Sequence, residues 1–421
     1  SESEMSEEQG KQSPSQVVSP INTAPTKYGE LIVLGYNGSH PMGSKGRRRS
    51  KFSLLCRTLS NGVKPVKCDF VSNPQQSELI KDNKQHSVSF TLNPDQAIIV
   101  QYDHDDDTDM FQIGRSSEMP IDFVVMDTVP GAQTAEDCVV SQSTISRFAC
   151  RIIVDRHPPH MARIYAAGFD TSRNIFLGPK ATKWYNNGEI DGLTTNGVLI
   201  MHPSEGFDST SKPGLWREVS VNGGIYTLRE SRSTPQKSNR IDVEDNVLQD
   251  GTLINLCGAT LLWRSATGLE SAPSRSELEL QIEAINTGRP QCPVGLNTLV
   301  LPSKNTLSES EKKPFVCITC GHVYGQHSWG KEDTRVCPMC RKSGPFVKLK
   351  TGQESSFCID SGTPSHCFSC GHMASESTVG YWSSIPIPHG CQGFRAACPF
   401  CATPLQGDPG YVKLIYEDHM D

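Results

Sequence analysis

The sequence predicts a mainly β protein that ends in a small zinc-stabilised domain. Three observations carry that expectation. Short β-branched segments recur between turn signals from Tyr28 to about Arg264. Gly (35) and Pro (28) are abundant, which favours strands and turns over long helices. Eleven of the sixteen cysteines lie after residue 291, eight of them inside a duplicated Cys/His phrase.

Residues 1–26 hold Ser, Glu, Gln and Pro and little that could form a core, so they are expected to be a disordered tail. The opening SESEMSEEQGKQSPSQ lacks the basic and apolar regions of a signal peptide. No apolar run approaches the roughly 20 residues needed to span a bilayer. A cytosolic or nuclear location is expected, cytoplasmic by preference, with no membrane insertion. A net charge of −6 gives no chain-wide affinity for nucleic acid.

Residues 27–268 read as the β domain. Its apolar segments are Leu31–Leu34, Ser87–Leu92, Ala97–Val100, Ile121–Val125, Arg151–Val154, Arg163–Ala166, Gly197–Ile200, Leu253–Leu256 and Ala259–Trp263. Asn37-Gly38, Asn61-Gly62, Asn187-Gly188, Asp191-Gly192 and Asn222-Gly223 separate them as turns. The pattern is that of a sandwich or barrel. Polar stretches near 39–51 and 60–86 read as insertions. The acidic run Asp103–Asp109 lacks the glycine and distal glutamate of a calcium loop and reads as a solvated hairpin tip. Lys45–Lys51 reads as an exposed basic loop. Cys56, Cys68, Cys138, Cys150 and Cys257 read as small buried residues.

Residues 269–312 read as a helix and a linker. Ser274 and Glu277 match a capping box, and Leu278, Ile282 and Ile285 share one helical face.

Residues 313–421 carry the metal phrase twice. Cys317-x-x-Cys320-Gly-His322 is followed by Cys337-Pro-x-Cys340, and Cys367-x-x-Cys370-Gly-His372 by Cys398-Pro-x-Cys401. Zinc takes four tetrahedral thiolate or imidazole ligands, and a Cys-x-x-Cys turn offers two sulfurs without strain. Two ions need eight ligands, whereas the phrases offer ten. Cys320, His322, Cys337, Cys340, Cys370, His372, Cys398 and Cys401 form the most symmetrical set, with Cys317 and Cys367 as competitors. His366, Cys358, His389 and Cys391 lie nearby. Pairing could be sequential or interleaved. Surplus ligands and the absence of a His-Glu-x-x-His motif point to two structural ions. The module holds nine Lys/Arg and nine Asp/Glu, so protein rather than nucleic acid is the expected partner. Ile318, Trp382 and Pro399 could form the exposed apolar patch that contacts it.

The paired Cys-Gly-His and Cys-Pro-x-Cys units, with Ala396-Ala397-Cys398-Pro399-Phe400-Cys401, resemble the RING-like domain of the Pellino ubiquitin ligases. The resemblance runs from Tyr28 to the C-terminus. It implies a Cys-His-Cys-Cys ligand set used twice and a ubiquitin-conjugating enzyme as the partner of the Ile318/Trp382/Pro399 patch. Such a ligase acts by proximity and orientation, so no catalytic side chain is expected.

In the β domain, Ile113-Gly114-Arg115-Ser116, Ile145-Ser146-Arg147 and Thr194-Thr195-Asn196-Gly197 place guanidinium, hydroxyl and amide donors at loop ends, the chemistry a phosphate recruits. These segments resemble the forkhead-associated fold. The likeness implies that Arg115 and Ser146 contact a phosphothreonine, with Arg147, Thr195 and Asn196 supporting the peptide or the loop. Ala149 stands where that fold usually has a histidine. The resemblance also implies an atypical forkhead-associated β-sandwich with an inserted β appendage, and phosphorylated interleukin-1 receptor-associated (Pelle-like) kinases of Toll signalling and innate immunity as clients. The alternatives are a phosphothreonine-dependent scaffold without ligase activity, or a ligase forming its own thioester on Cys391 or Cys358.

Overall fold

The computed structural model describes residues 23–417 apart from 39–48, 78–81, 83, 132–141, 233, 304–313, 328–334, 353 and 387–395. Nearly all of the expected disordered tail and most of the basic loop lie outside the described residues, as do Cys138, His389 and Cys391.

The first half is built from β1 (Lys27–Val33), β2 (Lys51–Leu55), β3 (Gly62–Ser72), β4 (His86–Asn93), β5 (Gln96–Asp105), β6 (Thr108–Gly114), β7 (Phe123–Val124), β8 (Cys150–Asp155) and β9 (Ala162–Ala166). It continues with β10 (Asn174–Leu177), β11 (Thr182–Asn186), β12 (Glu189–Leu193), β13 (Leu199–Met201), β14 (Trp216–Val219), β15 (Ile225–Tyr226), β16 (Leu253–Asn255) and β17 (Thr260–Ser265). Seven of these form one sheet in the order β15-β14-β13-β16-β17-β1-β2, and β7-β6-β8-β9 form the facing layer. A single apolar cluster containing Leu31, Phe111, Ile152, Ile200 and Leu261 fills the space between them.

The order β10-β4-β5-β3 makes a further sheet. Its edge strand β3 was expected to be part of a polar insertion. Instead it pairs with β5 over ten residues, and it is polar because most of its side chains face solvent. Two other readings also change. The β5–β6 turn at Asp106-Asp107 is solvated, but Asp109 is fully buried and accepts hydrogen bonds from Tyr28 Oη (2.8 Å), Arg57 N (2.9 Å) and Arg156 Nη1 (2.7 Å). Cys150 is buried as expected, Cys56 and Cys257 are half-buried, and Cys68 is exposed on the edge strand.

The seven-stranded sheet is apolar on both faces. Along β1, Leu31 and Val33 enter the sandwich core while Ile32 points away. The same split separates Ile200 from Leu199 and Met201, and Leu261 and Trp263 from Leu262. A sheet with one solvated face alternates apolar and polar, so continuous apolar strands need cover on both sides. The zinc-type module provides it: Phe357, Phe368, Val379, Tyr381, Trp382 and Phe400 share the second cluster with Ile32, Leu199, Met201, Trp216, Leu253 and Leu262. Trp216 Nε1 donates to Pro386 O (2.7 Å), and Arg264 Nη1 donates to Ser356 O (2.8 Å), across the same boundary.

Helices α1 (Ala266–Ser271) and α2 (Arg275–Thr287) follow the sheet. The capping box holds: Glu277 N donates to Ser274 Oγ (3.1 Å) and Ser274 N to Glu277 Oε2 (2.6 Å). Ile282 is the residue of α2 that is fully buried, with Leu278 and Ile285 partly so. The segment after α2, read as linker, belongs to the module's core. Cys292, Leu299 and Leu301 are buried there, and Gln291 forms isolated bridges with Thr298 and Glu417.

Candidate metal centres and phosphopeptide loops

The module contains β18 (Phe315–Cys317), β19 (Val323–Tyr324), β20 (Arg335–Val336), β21 (Ser343–Gly344), β22 (Phe346–Lys348), β23 (Lys350–Thr351), β24 (His366–Phe368), β25 (His372–Ala374), α3 (Glu376–Ser383) and β26 (Tyr411–Lys413). Its halves repeat one plan. β18 runs into the first Cys-x-x-Cys-Gly-His phrase and pairs with β22; β24 runs into the second and pairs with β26. The halves are also interlocked. Gly321 (φ 89°) and Gly371 (φ 95°) turn between the ligands, and a Cβ on either would lie 1.9 Å from Lys413 O or 2.1 Å from Lys348 O. Each glycine receives the closing strand of the other half: Ile415 N donates to Gly321 O (2.8 Å) and Lys350 N to Gly371 O (2.9 Å). The duplicated Gly-His is thus a packing requirement as well as a ligand position.

The two Cys-Pro-x-Cys turns share a second geometry. Arg341 N donates to Cys337 O and Ala402 N to Cys398 O, both at 2.8 Å, with Arg341 (φ 65°) and Ala402 (φ 58°) left-handed. These turns complete two groups. The ligand atoms of Cys320, His322, Cys337 and Cys340 lie within 4.8 Å of one another, as do those of Cys370, His372, Cys398 and Cys401. Pairing is therefore sequential. His322 Nδ1 is 3.2 Å from Cys320 Sγ, and His372 Nδ1 is 3.4 Å from Cys370 Sγ. Of the ten ligand candidates, Cys317 and Cys367 fall outside both groups and are fully buried in the apolar core of the module.

Three thiols and one imidazole per group form a closed tetrahedral donor set of the kind structural zinc takes. The electrostatics fit a cation. Burial raises the Cys337 thiol, but hydrogen bonds from the Tyr324 hydroxyl (2.7 Å) and the Cys340 and Met339 amides outweigh it and hold the thiol below its usual value. Cys401 is drawn down by hydrogen bonds from Cys370 and Cys398, while burial pushes Cys398 far up. One thiolate is favoured and a neighbour resists ionisation, so three together call for a divalent ion. Sequence reading missed the outer partners Tyr324 and Thr403, the latter 3.1 Å from Cys401 Sγ. Only the chain's proximity to the ligands hints at them.

The other sulfur and imidazole candidates stay apart. Burial raises Cys358 to about 12, so it is an inert core thiol rather than a site for thioester chemistry. His366 bonds Ser365 Oγ (2.8 Å) and packs on Tyr411. The apolar patch expected of Ile318, Trp382 and Pro399 is corrected. Trp382 is 2% exposed and donates from Nε1 to Phe357 O (2.8 Å). Pro399 is buried, and its carbonyl accepts from Gly35 N (2.7 Å). Ile318 is half-buried against a different cluster. The cause is the docking of this face on the seven-stranded sheet.

In the β domain the three loops converge. A Cβ on Gly114 would meet Arg147 O at 2.1 Å, so glycine there lets the first two loops touch. Arg115 N donates to Ser146 O and Ser116 N to Arg147 O, both at 3.1 Å. The Arg115 side chain donates through Nε to Ile145 O (3.0 Å), which leaves its Nη groups without a partner among the described residues. Asn196 Nδ2 donates to Ser146 Oγ (3.1 Å). Arg115, Ser146 and Asn196 are therefore together. Arg147 is turned aside to Glu118 (2.7 Å), and Thr195 is exposed on a cleft of about 670 Å³ that Ser146, Arg147 and Thr194 also line. Two arginines not singled out from sequence hold the third loop: Arg229 Nη2 donates to Thr194 O (3.2 Å), and Arg232 Nη1 to Asn196 O. Arg229 is itself fixed by a buried ion pair with Glu218 (2.8 Å). Ala149 is buried, and its amide donates to Ile113 O (2.9 Å), so backbone does the bracing at this position.

Comparison with known proteins agrees with this division. The family model for the Pellino FHA domain matches residues 20–281, and that for the Pellino RING domain matches residues 285–421. Protein pellino of Drosophila melanogaster is 60% identical over 400 residues, covering 94% of each chain. The human E3 ubiquitin-protein ligase pellino homolog 2 is 55% identical over 408 residues, covering 95% of this chain and 97% of its own. The mouse pellino homolog 3, also named an E3 ubiquitin-protein ligase, is 54% identical over 406 residues, covering 94% and 91%.

Proposed function

The chain belongs to the Pellino family, and on that footing we propose that it is an E3 ubiquitin ligase whose β-sandwich selects phosphorylated clients. The observation that carries the ligase reading is the pair of closed Cys₃His centres. A closed centre has no position for water or substrate, so the ions, two structural zincs, shape a binding surface. Transfer then takes place on the conjugating enzyme, whose thioester-linked ubiquitin the module holds near the client's lysine; acceleration comes from effective concentration. The lysine nitrogen attacks the thioester carbonyl, the conjugating enzyme's thiol leaves, and no side chain of this chain forms a covalent bond.

Arg115 supplies the guanidinium for a phosphothreonine and Ser146 the hydroxyl, with Asn196, Thr195 and Arg147 supporting the loop and peptide. Arg115's Nη groups, without a partner among the described residues, support that assignment. The clients in this reading are phosphorylated kinases of the Toll and interleukin-1 receptor pathway in innate immunity, met in the cytoplasm. No helix among the described residues is long and apolar enough to cross a membrane. A non-ligase scaffold is the second reading, favoured by the burial of Trp382 and Pro399.

The deciding experiment mixes the chain with activating enzyme, a panel of conjugating enzymes, ubiquitin and ATP. Chain formation supports the ligase; silence across the panel leaves the scaffold. Arg115→Ala should abolish binding to phosphothreonine peptide and leave chain synthesis intact. Equal wild-type binding of phosphorylated and unphosphorylated peptide refutes the reader assignment.

A further inference from the structure

The second metal centre is not only a support for its own half of the module. Its Cys398–Cys401 turn is pressed into the β-sandwich. Gly35 N donates to Pro399 O (2.7 Å) and Gly131 N to Cys401 O (3.0 Å), so two carbonyls of the metal turn are held by amides of the other domain. Both donors are glycines because the approach is close. A Cβ on Gly35 (φ 77°) would lie 2.7 Å from Ala402 Cβ, and one on Gly131 would lie 3.1 Å from Cys401 Cβ.

The sandwich segment that receives the turn is also the one that braces the phosphopeptide loops. β7 pairs in parallel with the end of β6, and Val125 N donates to Gly114 O (2.9 Å), the carbonyl immediately before Arg115. Two residues on, Asp127 Oδ1 accepts from Thr144 N (3.4 Å) and Oγ1 (3.3 Å), next to Ile145 and Ser146. Asn37, on the Gly35 side, accepts from Met126 N (2.8 Å) and donates to Val124 O (2.9 Å). Residues 123–131 therefore touch the Arg115 side, the Ser146 side and the metal turn within nine residues.

We propose that metal loading of the second centre and phosphopeptide affinity are linked through this segment, so the loaded Cys370/His372/Cys398/Cys401 centre clasps the reader in its binding geometry. The affinity half of the proposal rests on the phosphopeptide reading above. Linkage is reciprocal: what strengthens one site strengthens the other by the same factor.

The test uses the full chain and perturbs the boundary from both sides. Gly131→Ala and Gly35→Ala leave all metal ligands in place. Each should lower the affinity of one of the two zinc ions at least about five-fold in competition with a chromogenic chelator, and speed its release, with the other unchanged. Each should weaken a fluorescein-labelled phosphothreonine peptide by a similar factor. Cys401→Ser should weaken the peptide further and raise the radius of gyration in small-angle scattering. If that variant unfolds the module, the two glycine variants still decide. Both glycine variants releasing zinc at the wild-type rate, with peptide affinity within about two-fold, would overturn the proposal. A wild type that binds no phosphopeptide sinks the reader assignment instead. Zinc release and scattering then still report whether the clasp exists, so the two failures are distinguishable.

Discussion

Gly321→Ala is the sharpest probe of the interlocked halves. Alanine at φ 89° lies outside the left-handed well that non-glycine residues tolerate, a cost of about 1–3 kcal/mol. Its Cβ would stand 1.9 Å from Lys413 O, a backbone atom, so β26 has to retreat by more than an ångström to reach ordinary contact. That retreat loosens the bonds from Ile415 N to Gly321 O (2.8 Å) and from Val323 N to Ile415 O (3.1 Å). At roughly 1 kcal/mol net for each bond, the total loss is about 3–5 kcal/mol, a large share of a small domain's stability. The substitution touches no ligand. Even so, zinc should leave both centres faster, because the displaced strand closes one half and belongs to the other. The assay is chelator-monitored zinc release beside urea unfolding followed at Trp382 in the module and Trp263 in the sandwich. A variant that keeps both zinc ions at the wild-type release rate and unfolds at the wild-type urea midpoint would falsify the interlock.

Three further outcomes follow from particular side chains. Tyr324→Phe removes the hydroxyl 2.7 Å from Cys337 Sγ and should lower zinc affinity about 10–100-fold at one centre, measured by competition with a chelator. Cys337→Ala removes a ligand outright and should abolish ubiquitin chain formation; intact chain synthesis would contradict its place in the metal centre. His86, packed on Phe169, has its pKa lowered to about 4 by burial first, then by Arg173 and Arg151. A depressed folded value means that the unfolded chain binds the proton more readily. Stability is therefore full above about pH 6.5 and falls as the pH drops toward 4, by about 2 kcal/mol after discounting for the ring's partial exposure. The wild-type urea midpoint minus that of His86→Asn should shrink over that window; a pH-independent difference rules this out.

The metal centres were the most legible feature, because ligation restricts both residue type and spacing. Eight of the ten marked residues come together. The remaining two, Cys317 and Cys367, show why spacing alone did not choose: a Cys-x-x-Cys turn is equally good whether its first sulfur binds metal or fills a core. The strand segments were legible where apolar runs were continuous, and β3 was not, since an edge strand facing solvent has a polar sequence. Arg115, Ser146 and Asn196 were found through the resemblance of their segments to the forkhead-associated fold, since Gly-Arg and Asn-Gly turns alone are common chemistry. Glu218, Arg229 and Arg232 were not, because their role lies in what they grip, and a carbonyl of another loop leaves no mark in the sequence.

The misplaced patch has a different cause, and its correction was already written in the strands. Ile32 beside Leu31, Leu199 and Met201 beside Ile200, and Leu262 beside Leu261 make runs that no one-sided sheet needs. Covering six such outer side chains, Trp216 among them, at roughly 1.5–3 kcal/mol each, gives an upper estimate of about 9–18 kcal/mol for closing the boundary. A free partner would have to set that gain against lost translation and rotation, whereas a module on the same chain has already given up most of that freedom. Docking therefore wins over exposure, and the face that carries Trp382 and Pro399 is an internal surface. A conjugating enzyme must either meet the module elsewhere or displace this contact, and the second route couples ligase activity to undocking of the module from the outer face of the seven-stranded sheet.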